Sequence, residues 1–397
     1  MIKDSTLATT AENKTAEDSP DTPLGSNWVR WVGVFAFVYL LLVGVSVVGA
    51  GFKWISGGEE GARAIFAFAS NPIVGVILGT LATALVQSSS TVTSVIVGLV
   101  AGGVPVAVAV PMILGANMGT TITNTFVSLG SLQNRRSFSR AFEASTVHDF
   151  FNLFAIAIFL PIEVMFHPLE RIGRVISVGL VGDFNASIKG MNFVSLATKP
   201  LVNAIHSGLE TLPGQFGASL MILVGIGMIL FAVFRLGSLL RKVMSGPAKK
   251  LVETAIGRGP IAGISSGALV TVLVQSSSTT TSLVVPLAGA GVLSTKQIYR
   301  FTLGANIGTC VTAVLAATAV NASGAAVAMQ IAIVHLLFNF CAVILFMVIP
   351  FLHDLPLRSA GWLGRKVEHS RVWAIYYIGS VFFGLPSLVL GMQVLIN

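Results

Sequence analysis

Charged side chains are scarce in this chain of 397 residues, since Asp, Glu, Lys and Arg make up only 10% of it and hydrophobic residues make up 54%. Soluble globular domains carry about a quarter of their residues as charged side chains, so this composition excludes a soluble enzyme or binding domain. The long apolar runs instead predict an integral membrane protein that crosses the bilayer several times.

Cysteine is almost absent too, because the chain has only Cys310 and Cys341, and both lie in apolar stretches. Two such cysteines imply no disulfide framework. The histidines are scattered, and no cluster of Cys, His, Asp and Glu has the spacing of a metal site. We therefore expect no metalloenzyme and no bound cofactor.

The net charge of +8 is distributed in short loops between apolar runs, which indicates bilayer orientation rather than nucleic-acid binding. Arg135, Arg136 and Arg140 lie between two spans, whereas the corresponding later loop, Ala319–Ala325, has no charge. Basic loops tend to stay in the cytoplasm. We expect a cytoplasmic N-terminus and two halves of opposite orientation.

A polar signature occurs twice, at Gln87-Ser88-Ser89-Ser90-Thr91 and at Gln275-Ser276-Ser277-Ser278-Thr279. Two further blocks return in the same order: Gly115–Thr120 matches Gly304–Thr309, and Val147–Asn152 matches Val334–Asn339. Duplicated segments of this kind are typical of transporters built from inverted repeats. The fold class we predict is an all-α polytopic membrane protein with two inverted-topology repeats.

These observations divide the chain into consecutive segments. They are a disordered cytoplasmic tail (1–27), a first transmembrane helix and loop (28–64), transport repeat 1 (65–162), an external connector with a transmembrane helix and a basic cytoplasmic loop (163–256), transport repeat 2 (257–350), and a basic loop with a final transmembrane helix (351–397).

Each repeat is expected to hold a re-entrant hairpin and a broken transmembrane helix. The apolar run 65–103 is too long for one crossing and has its polar signature near the middle. The next run has Gly115, Asn117 and Gly119 at its centre, where glycine weakens a helix. Non-helical backbone at this depth is tolerated only when it is packed in protein or lines a cavity, which predicts a binding site.

The signatures suit both an oxyanion and a monovalent cation. Hydroxyls, amide groups and helix N-termini donate to an anion, while hydroxyl and carbonyl oxygens coordinate a cation. Serine and threonine in membrane helices also serve as polar contacts between helices, but the duplication favours function. We expect substrate binding by Gln87, Ser88, Ser89, Ser90, Thr91, Gln275, Ser276, Ser277, Ser278, Thr279, Asn117 and Asn306.

Polar residues outside the signatures have alternative interpretations. Six of them either supply oxygen ligands to the site or form hydrogen bonds with backbone groups left unpaired at helix breaks. These six are Asn117, Asn306, Thr120, Thr123, Thr309 and Thr312. His148 and His335 lie four residues before an asparagine, which is typical of a packing hydrogen bond. Asp149 and Glu143 have two interpretations, as proton relays or as solvated interfacial groups. The second repeat has Leu336 and Gln330 at these positions, which favours solvated interfacial groups.

At these residues the chain resembles the type II sodium–phosphate cotransporter family, whose hallmark is the paired Gln-Ser-Ser-Ser motif. The short connector suggests a compact, bacterial-type member. The resemblance implies that both signatures bind phosphate and sodium around one central site. The candidate sodium ligands are Gln87, Ser88, Thr120, Thr123, Gln275, Ser276, Thr309 and Thr312, of which Thr309 and Thr312 are also implied by the match to the family.

We therefore predict a sodium-coupled importer of inorganic phosphate that works by alternating access in the plasma membrane, with the bacterial inner membrane as its expected location. One alternative is a cation-coupled transporter of another oxyanion or a carboxylate on the same scaffold. A membrane phosphatase or phosphotransferase needs a nucleophile with a base or a metal, and neither repeat places His or a carboxylate beside its serines. The expected partners are phosphate, sodium and lipid, with homodimerisation left open.

Overall fold

The structure is a computed structural model, and it describes residues 24–57, 59–65, 67–187, 193–212, 215–256, 258–320 and 322–396. Most of the tail predicted at 1–27 lies outside these ranges, but helix α1 already begins at Leu24, so the predicted boundary is too late. In chain order the helices are α1 (Leu24–Ser56), α2 (Glu59–Ile65), α3 (Pro72–Val86), α4 (Ser89–Ala101), α5 (Val106–Thr120), α6 (Ile122–Ser128), α7 (Arg135–Phe166), α8 (Pro168–Ser187), α9 (Phe193–Leu209), α10 (Phe216–Ala255), α11 (Pro260–Val274), α12 (Ser277–Ser282), α13 (Val285–Gly289), α14 (Thr295–Thr318), α15 (Ala322–Val348), α16 (Pro350–His369), α17 (Val372–Gly379) and α18 (Leu385–Ile396).

Within these ranges seven helical stretches are long and apolar enough to cross a membrane. They are Trp28–Ser56, Val106–Ser131, Arg135–Phe166, Phe216–Leu236, Thr295–Thr318, Gly324–Val348 and Val372–Gln393. The described secondary structure contains no strand. The prediction of an all-α polytopic membrane protein is confirmed.

Helices α3, α4 and α11 are apolar but too short to span. They have 15, 13 and 15 residues, and a helix needs about 20 residues to cross the hydrocarbon core. Only Gln87 and Ser88 separate α3 from α4, and only Gln275 and Ser276 separate α11 from α12. The two polar signatures therefore form the turns between short helices.

The predicted helix break is present in the first repeat and absent from the second. Thr121 separates α5 from α6, whereas the equivalent helix α14 is continuous from Thr295 to Thr318. The expectation of a broken helix in each repeat is wrong for α14. The threonine hydroxyls do not explain the difference, because Thr309 donates to the Ala305 carbonyl oxygen and Thr120 donates to the Ala116 carbonyl oxygen, each at 3.0 Å. The difference therefore depends on tertiary packing.

Glycines allow the crossing helices to approach the short helices closely. A Cβ atom added to Gly115 would collide with the carbonyl oxygen of Val76 in α3. One added to Gly304 would collide with the carbonyl oxygen of Ile264 in α11. The duplicated glycine is thus explained by backbone contact between α5 and α3 and between α14 and α11.

The main apolar core contains buried side chains from both duplicated halves, including Ile113, Phe151, Leu303 and Phe346. The rings of Phe151 and Phe346 meet edge to face, with centroids 5.0 Å apart. Because lipid tails are as apolar as these side chains, close packing rather than water exclusion stabilises this contact.

Two segments predicted as basic loops are largely helical. Helix α10 continues past its membrane span to Ala255, and α16 occupies Pro350–His369 before the last span. In α16 one face is buried, as at Leu363 and Val367, and the charged residues lie on the other. Such an amphipathic pattern forms a stable helix when one face packs against protein.

Candidate functional site

The first polar signature forms a strained turn followed by a capped helix. Gln87 ends α3 in the left-handed region, with φ 59° and ψ 25°. Ser88 is extended, and its side-chain oxygen accepts from the backbone N–H of Thr91 at 3.3 Å, which caps α4. Non-glycine residues with positive φ are uncommon and concentrate at functional sites.

The second signature has the same local geometry. Gln275 ends α11 with φ 54° and ψ 30°, and Ser276 caps α12 by accepting from the Thr279 N–H at 3.2 Å. Among the described non-glycine residues, positive φ is found at these two glutamines and at His167. The sequence duplication is therefore also a duplication of backbone conformation.

A threonine of the adjacent crossing helix holds each glutamine carboxamide. Thr123 of α6 donates to the Gln87 Oε1 atom at 2.7 Å, and Thr312 of α14 donates to the Gln275 Oε1 atom at 2.8 Å. Both threonines were predicted as oxygen ligands, and the structure places them at the two turns. Each carboxamide oxygen is thereby oriented by a neighbouring helix.

Helix α6 brings the two signatures together. Its Thr123 contacts Gln87 of the first signature, and its next residue, Asn124, accepts from the Thr281 hydroxyl of α12 at 2.7 Å. On the other side α4 packs against α14. Helix α6 thus contacts the first turn and the helix that follows the second turn, so the two signatures lie near one another.

The signature residues differ in exposure along the chain. The glutamine and first serine of each signature, together with Thr279, are half-buried. The remaining signature residues, Ser89, Ser90, Thr91, Ser277 and Ser278, are at most 8% exposed. The site is therefore screened from bulk solvent, which strengthens electrostatic interactions within it.

Asn117 and Asn306, predicted to line the site, take part in a buried network that joins the two halves. Asn306 Oδ1 lies 2.7 Å from the Nε2 atom of His148 in the other half. Asn117 Oδ1 lies 3.3 Å from the Nε2 atom of His335. Asn306 also donates to Asn152 Oδ1 at 2.9 Å. The histidines thus make packing hydrogen bonds, with a partner in the opposite repeat that local spacing did not indicate.

Thr120 and Thr309, also predicted as ligands, are 3% and 2% exposed and lie beside the site. Their hydroxyls donate to carbonyl oxygens of their own helices, Ala116 and Ala305, each at 3.0 Å. A hydroxyl oxygen that donates in this way retains lone pairs for a cation.

Asp149 is a functional candidate that the sequence analysis ranked as a solvated interfacial group. It was expected to be solvated, but it is fully buried because α7 begins at Arg135 and carries it deep into the protein. Its Oδ2 accepts from the Tyr377 hydroxyl at 2.9 Å and from Thr125 at 3.5 Å. Its Oδ1 has no hydrogen-bond partner among the described residues. A buried intramembrane carboxylate of this kind usually marks an ion pathway.

One group of three potential metal ligands occurs in the described part of the chain: Glu163, His167 and Glu170. Glu163 already has another role, because its carboxylate oxygens accept from the backbone N–H groups of Leu169 at 2.7 Å and Glu170 at 3.0 Å. These bonds cap the start of α8 and account for the buried carboxylate.

Comparison with known proteins gives a consistent result. The family model described as Na+/Pi-cotransporter matches residues 40–183 and 228–397. Sodium-dependent phosphate transport protein 2B of Pongo abelii is 30% identical over 451 residues, which cover 92% of this chain and 65% of that protein. Protein 2A of Ovis aries is 31% identical over 437 residues, with 91% and 67% covered. Protein 2A of Rattus norvegicus is 32% identical over 442 residues, with 93% and 68% covered.

The chain spans about two thirds of the length of these relatives, from 65% to 68%. No solved structure matches the chain.

Proposed function

Because the chain belongs to the Na+/Pi-cotransporter family, we propose that it imports inorganic phosphate together with sodium ions. The observation that carries this proposal is the pair of Gln-Ser turns with left-handed glutamines, each held by a threonine, with α6 bonded to the first turn and to the helix that follows the second. The curated relatives are named sodium-dependent phosphate transport proteins, which supports the same ions here.

Phosphate recognition is assigned to the hydroxyls of the two signatures and to the backbone N–H groups at the start of the helix that follows the first turn. Helix α4 begins at Ser89, and its first turn presents N–H groups and a positive dipole end. Serine hydroxyls add rotatable donors on both signatures. The anion would be bound by dipoles rather than by cationic side chains, since neither signature contains Lys or Arg.

Sodium coupling follows from the charge of the site. A phosphate bound without arginine or lysine needs other compensation, and co-bound cations supply it. The carboxamide oxygens of Gln87 and Gln275 and the nearby threonine hydroxyls are hard oxygen ligands. The buried carboxyl group of Asp149, which accepts from Thr125 of the same helix α6, supplies oxygen atoms and, when ionised, a negative charge that favours a cation.

Alternating access between inverted repeats is supported by two cavities. The link between α4 and α5 lines a cavity of about 950 Å³ that also contacts Glu170 and Gln330. The equivalent link between α13 and α14 lines a cavity of about 510 Å³ beside Arg140 and Glu143. Glu143 lies near the start of the membrane-spanning helix α7, and Glu170 lies just after its end, in the first turn of α8. The two equivalent links therefore lie at opposite ends of α7. We place the two repeats in opposite orientations and assign them the two gates.

Basic residues support a cytoplasmic N-terminus. Arg135 and Arg136 line a cavity together with Glu368 and His369, at the end of the molecule where α7 begins. This end also carries the basic residues of α16, whereas the α4 to α5 link at the other end has no charge. Positive loops tend to remain inside, so we assign this end to the cytoplasm of a bacterial inner membrane.

The test is uptake of radiolabelled phosphate into proteoliposomes, with an inward sodium gradient compared with potassium and with a proton gradient. We expect accumulation that requires sodium. Competition by arsenate, sulfate and dicarboxylates separates phosphate from other anions. Uptake that is indifferent to sodium, with folded protein in the vesicles, would contradict the coupling.

Variants link the activity to the site. Gln275→Ala and Ser276→Ala should abolish sodium-coupled uptake while the protein remains folded, because each removes a side chain from the second turn. Gln133→Ala is the matched control, since Gln133 is exposed and lies before α7. Wild-type uptake by both turn variants would refute the assignment of the site.

A further inference from the structure

Two buried hydroxyls at equivalent positions have no partner. Thr83 in α3 and Thr271 in α11 lie one helical turn before Gln87 and Gln275, and they are 0% and 1% exposed. The side-chain oxygen of each makes no hydrogen bond to any described residue. An unsatisfied buried hydroxyl costs about 1–3 kcal/mol of stability, and here the cost occurs twice at matching places.

Buried threonines elsewhere in α3 and in α14 have hydrogen-bond partners and avoid that cost. The Thr80 hydroxyl, one turn earlier in α3, donates to the carbonyl oxygens of Val76 at 2.9 Å and Gly115 at 3.1 Å. The Thr309 hydroxyl in α14 donates to the Ala305 carbonyl oxygen at 3.0 Å. Helical threonines can readily bond the carbonyl four residues back. The two partnerless hydroxyls therefore depart from the local pattern in both repeats.

Both threonines lie on the side of their helix that faces the crossing helix. A Cβ added to Gly119 would lie 2.7 Å from the Cβ of Thr83, and one added to Gly308 would lie 2.8 Å from the Cβ of Thr271. Each threonine thus faces the crossing helix one residue before the predicted ligand, Thr120 or Thr309.

The polar atoms near the two partnerless threonine hydroxyls are oxygens. The backbone N–H of Gln87 donates to the carbonyl oxygen of Thr83 at 2.8 Å, and that of Gln275 to the carbonyl oxygen of Thr271 at 2.7 Å, so each threonine lies one turn from its glutamine. The Gln87 amide nitrogen donates to the Ala84 carbonyl oxygen, which leaves its Oε1 on the side of Thr123. In the second repeat the Gln275 amide nitrogen likewise donates to the Val272 carbonyl oxygen, at 2.7 Å. Oxygen acceptors around a free hydroxyl oxygen suit a hard monovalent cation rather than an anion.

We propose that Thr83 and Thr271 are sodium ligands, one in each repeat, acting with the carboxamide oxygens of Gln87 and Gln275. This assignment rests on the proposed sodium coupling. It adds one ligand to each repeat, one helical turn before the signature in the chain. Sodium would use the hydroxyl lone pairs that the protein leaves unused. Each repeat would then bind its own sodium ion, next to the signature of that repeat.

Thermal unfolding of the purified protein tests this inference without phosphate and without transport. The unfolding midpoint is followed against sodium concentration, with choline keeping the ionic strength constant, for the wild type, Thr83→Val, Thr271→Val and Thr83→Ser. A ligand that binds the native state raises the midpoint. Thr80→Val is the matched control in the same helix, because its hydroxyl is already bonded.

We expect each valine variant to need about tenfold more sodium for half of the stabilisation, the equivalent of losing one ligand contact. Thr83→Ser and Thr80→Val should keep the wild-type sodium dependence. In the absence of sodium the valine variants should be at least as stable as the wild type, because a partnerless hydroxyl has been removed. This behaviour separates a lost ligand from a damaged fold.

Wild-type sodium dependence in both valine variants would overturn the inference while leaving the transport proposal intact. The absence of any sodium effect in the wild type would also overturn it, whatever the uptake assay shows. Conversely, sodium stabilisation that is weakened in the valine variants, in a protein without phosphate uptake, would uphold the sodium ligands and refute the transport function.

Discussion

At the residue scale, the left-handed backbone at Gln87 and Gln275 is the least expected feature of the site. This conformation costs a residue with a side chain roughly 1–2 kcal/mol. Asparagine tolerates it better than most residues, yet both positions carry glutamine. The longer carboxamide is needed to reach Thr123 and Thr312.

Replacing each glutamine by asparagine separates the effect of the left-handed backbone conformation from the effect of side-chain length. Gln87→Asn and Gln275→Asn should keep or slightly raise the unfolding midpoint, because asparagine suits the turn. They should lose most phosphate uptake, because the shorter side chain cannot hold its oxygen at the threonine. Unfolding and proteoliposome uptake are measured on the same preparations. Full uptake by both variants would show that the carboxamide position is unimportant.

Asp149 leads to a second prediction at this scale. In Asp149→Asn the amide oxygen still accepts from Tyr377, so the fold should be kept while the negative charge is lost. Half-maximal uptake should then need about tenfold more sodium, a change of about 1.4 kcal/mol in cation binding. Asp354→Asn is the control, since that carboxylate is partly exposed and pairs with Arg358. Equal sodium curves for all three proteins would remove Asp149 from the coupling mechanism.

At the element scale, two pairs of helices depend on glycine contacts. Gly115→Ala and Gly304→Ala should each lower the free energy of unfolding by more than about 2 kcal/mol, because a methyl group would force apart α5 and α3 or α14 and α11. Gly130→Ala is the control, as nothing lies within 4 Å of its added Cβ. The measurement is the unfolding midpoint. If all three variants unfold alike, backbone contact does not explain the duplicated glycines.

Apolar length was enough to predict most membrane helices, and the duplicated motifs led to the two turns at which we propose the site. They could not separate the break at Thr121 from the continuous α14, because the same Gly and Thr pattern occurs in both and tertiary packing decides between them. The burial of Asp149 and the pairing of His148 with Asn306 depend on contacts between distant segments. No local pattern reports such contacts, so sequence reasoning left both side chains outside the site.

At the scale of the whole molecule, the two equivalent helix links should face opposite sides of the membrane. Gln133→Cys and Arg174→Cys, in a chain whose Cys310 and Cys341 are replaced by alanine, should react with an impermeant thiol reagent from opposite sides. In oriented cell membranes we expect external labelling at position 174 and labelling at 133 only after permeabilisation. Labelling of both from one side would refute the proposed topology.

Helix α6 also has a thermodynamic consequence. Three successive residues, Thr123, Asn124 and Thr125, contact Gln87 of the first signature, Thr281 of the helix that follows the second turn, and Asp149. We expect binding at any one of these places to act on the other two through this helix. Such coupling is reciprocal, so the factor by which sodium raises phosphate affinity must equal the factor by which phosphate raises sodium affinity. A seven-residue helix would thus make binding cooperative, and each ion would be held weakly until the others arrive.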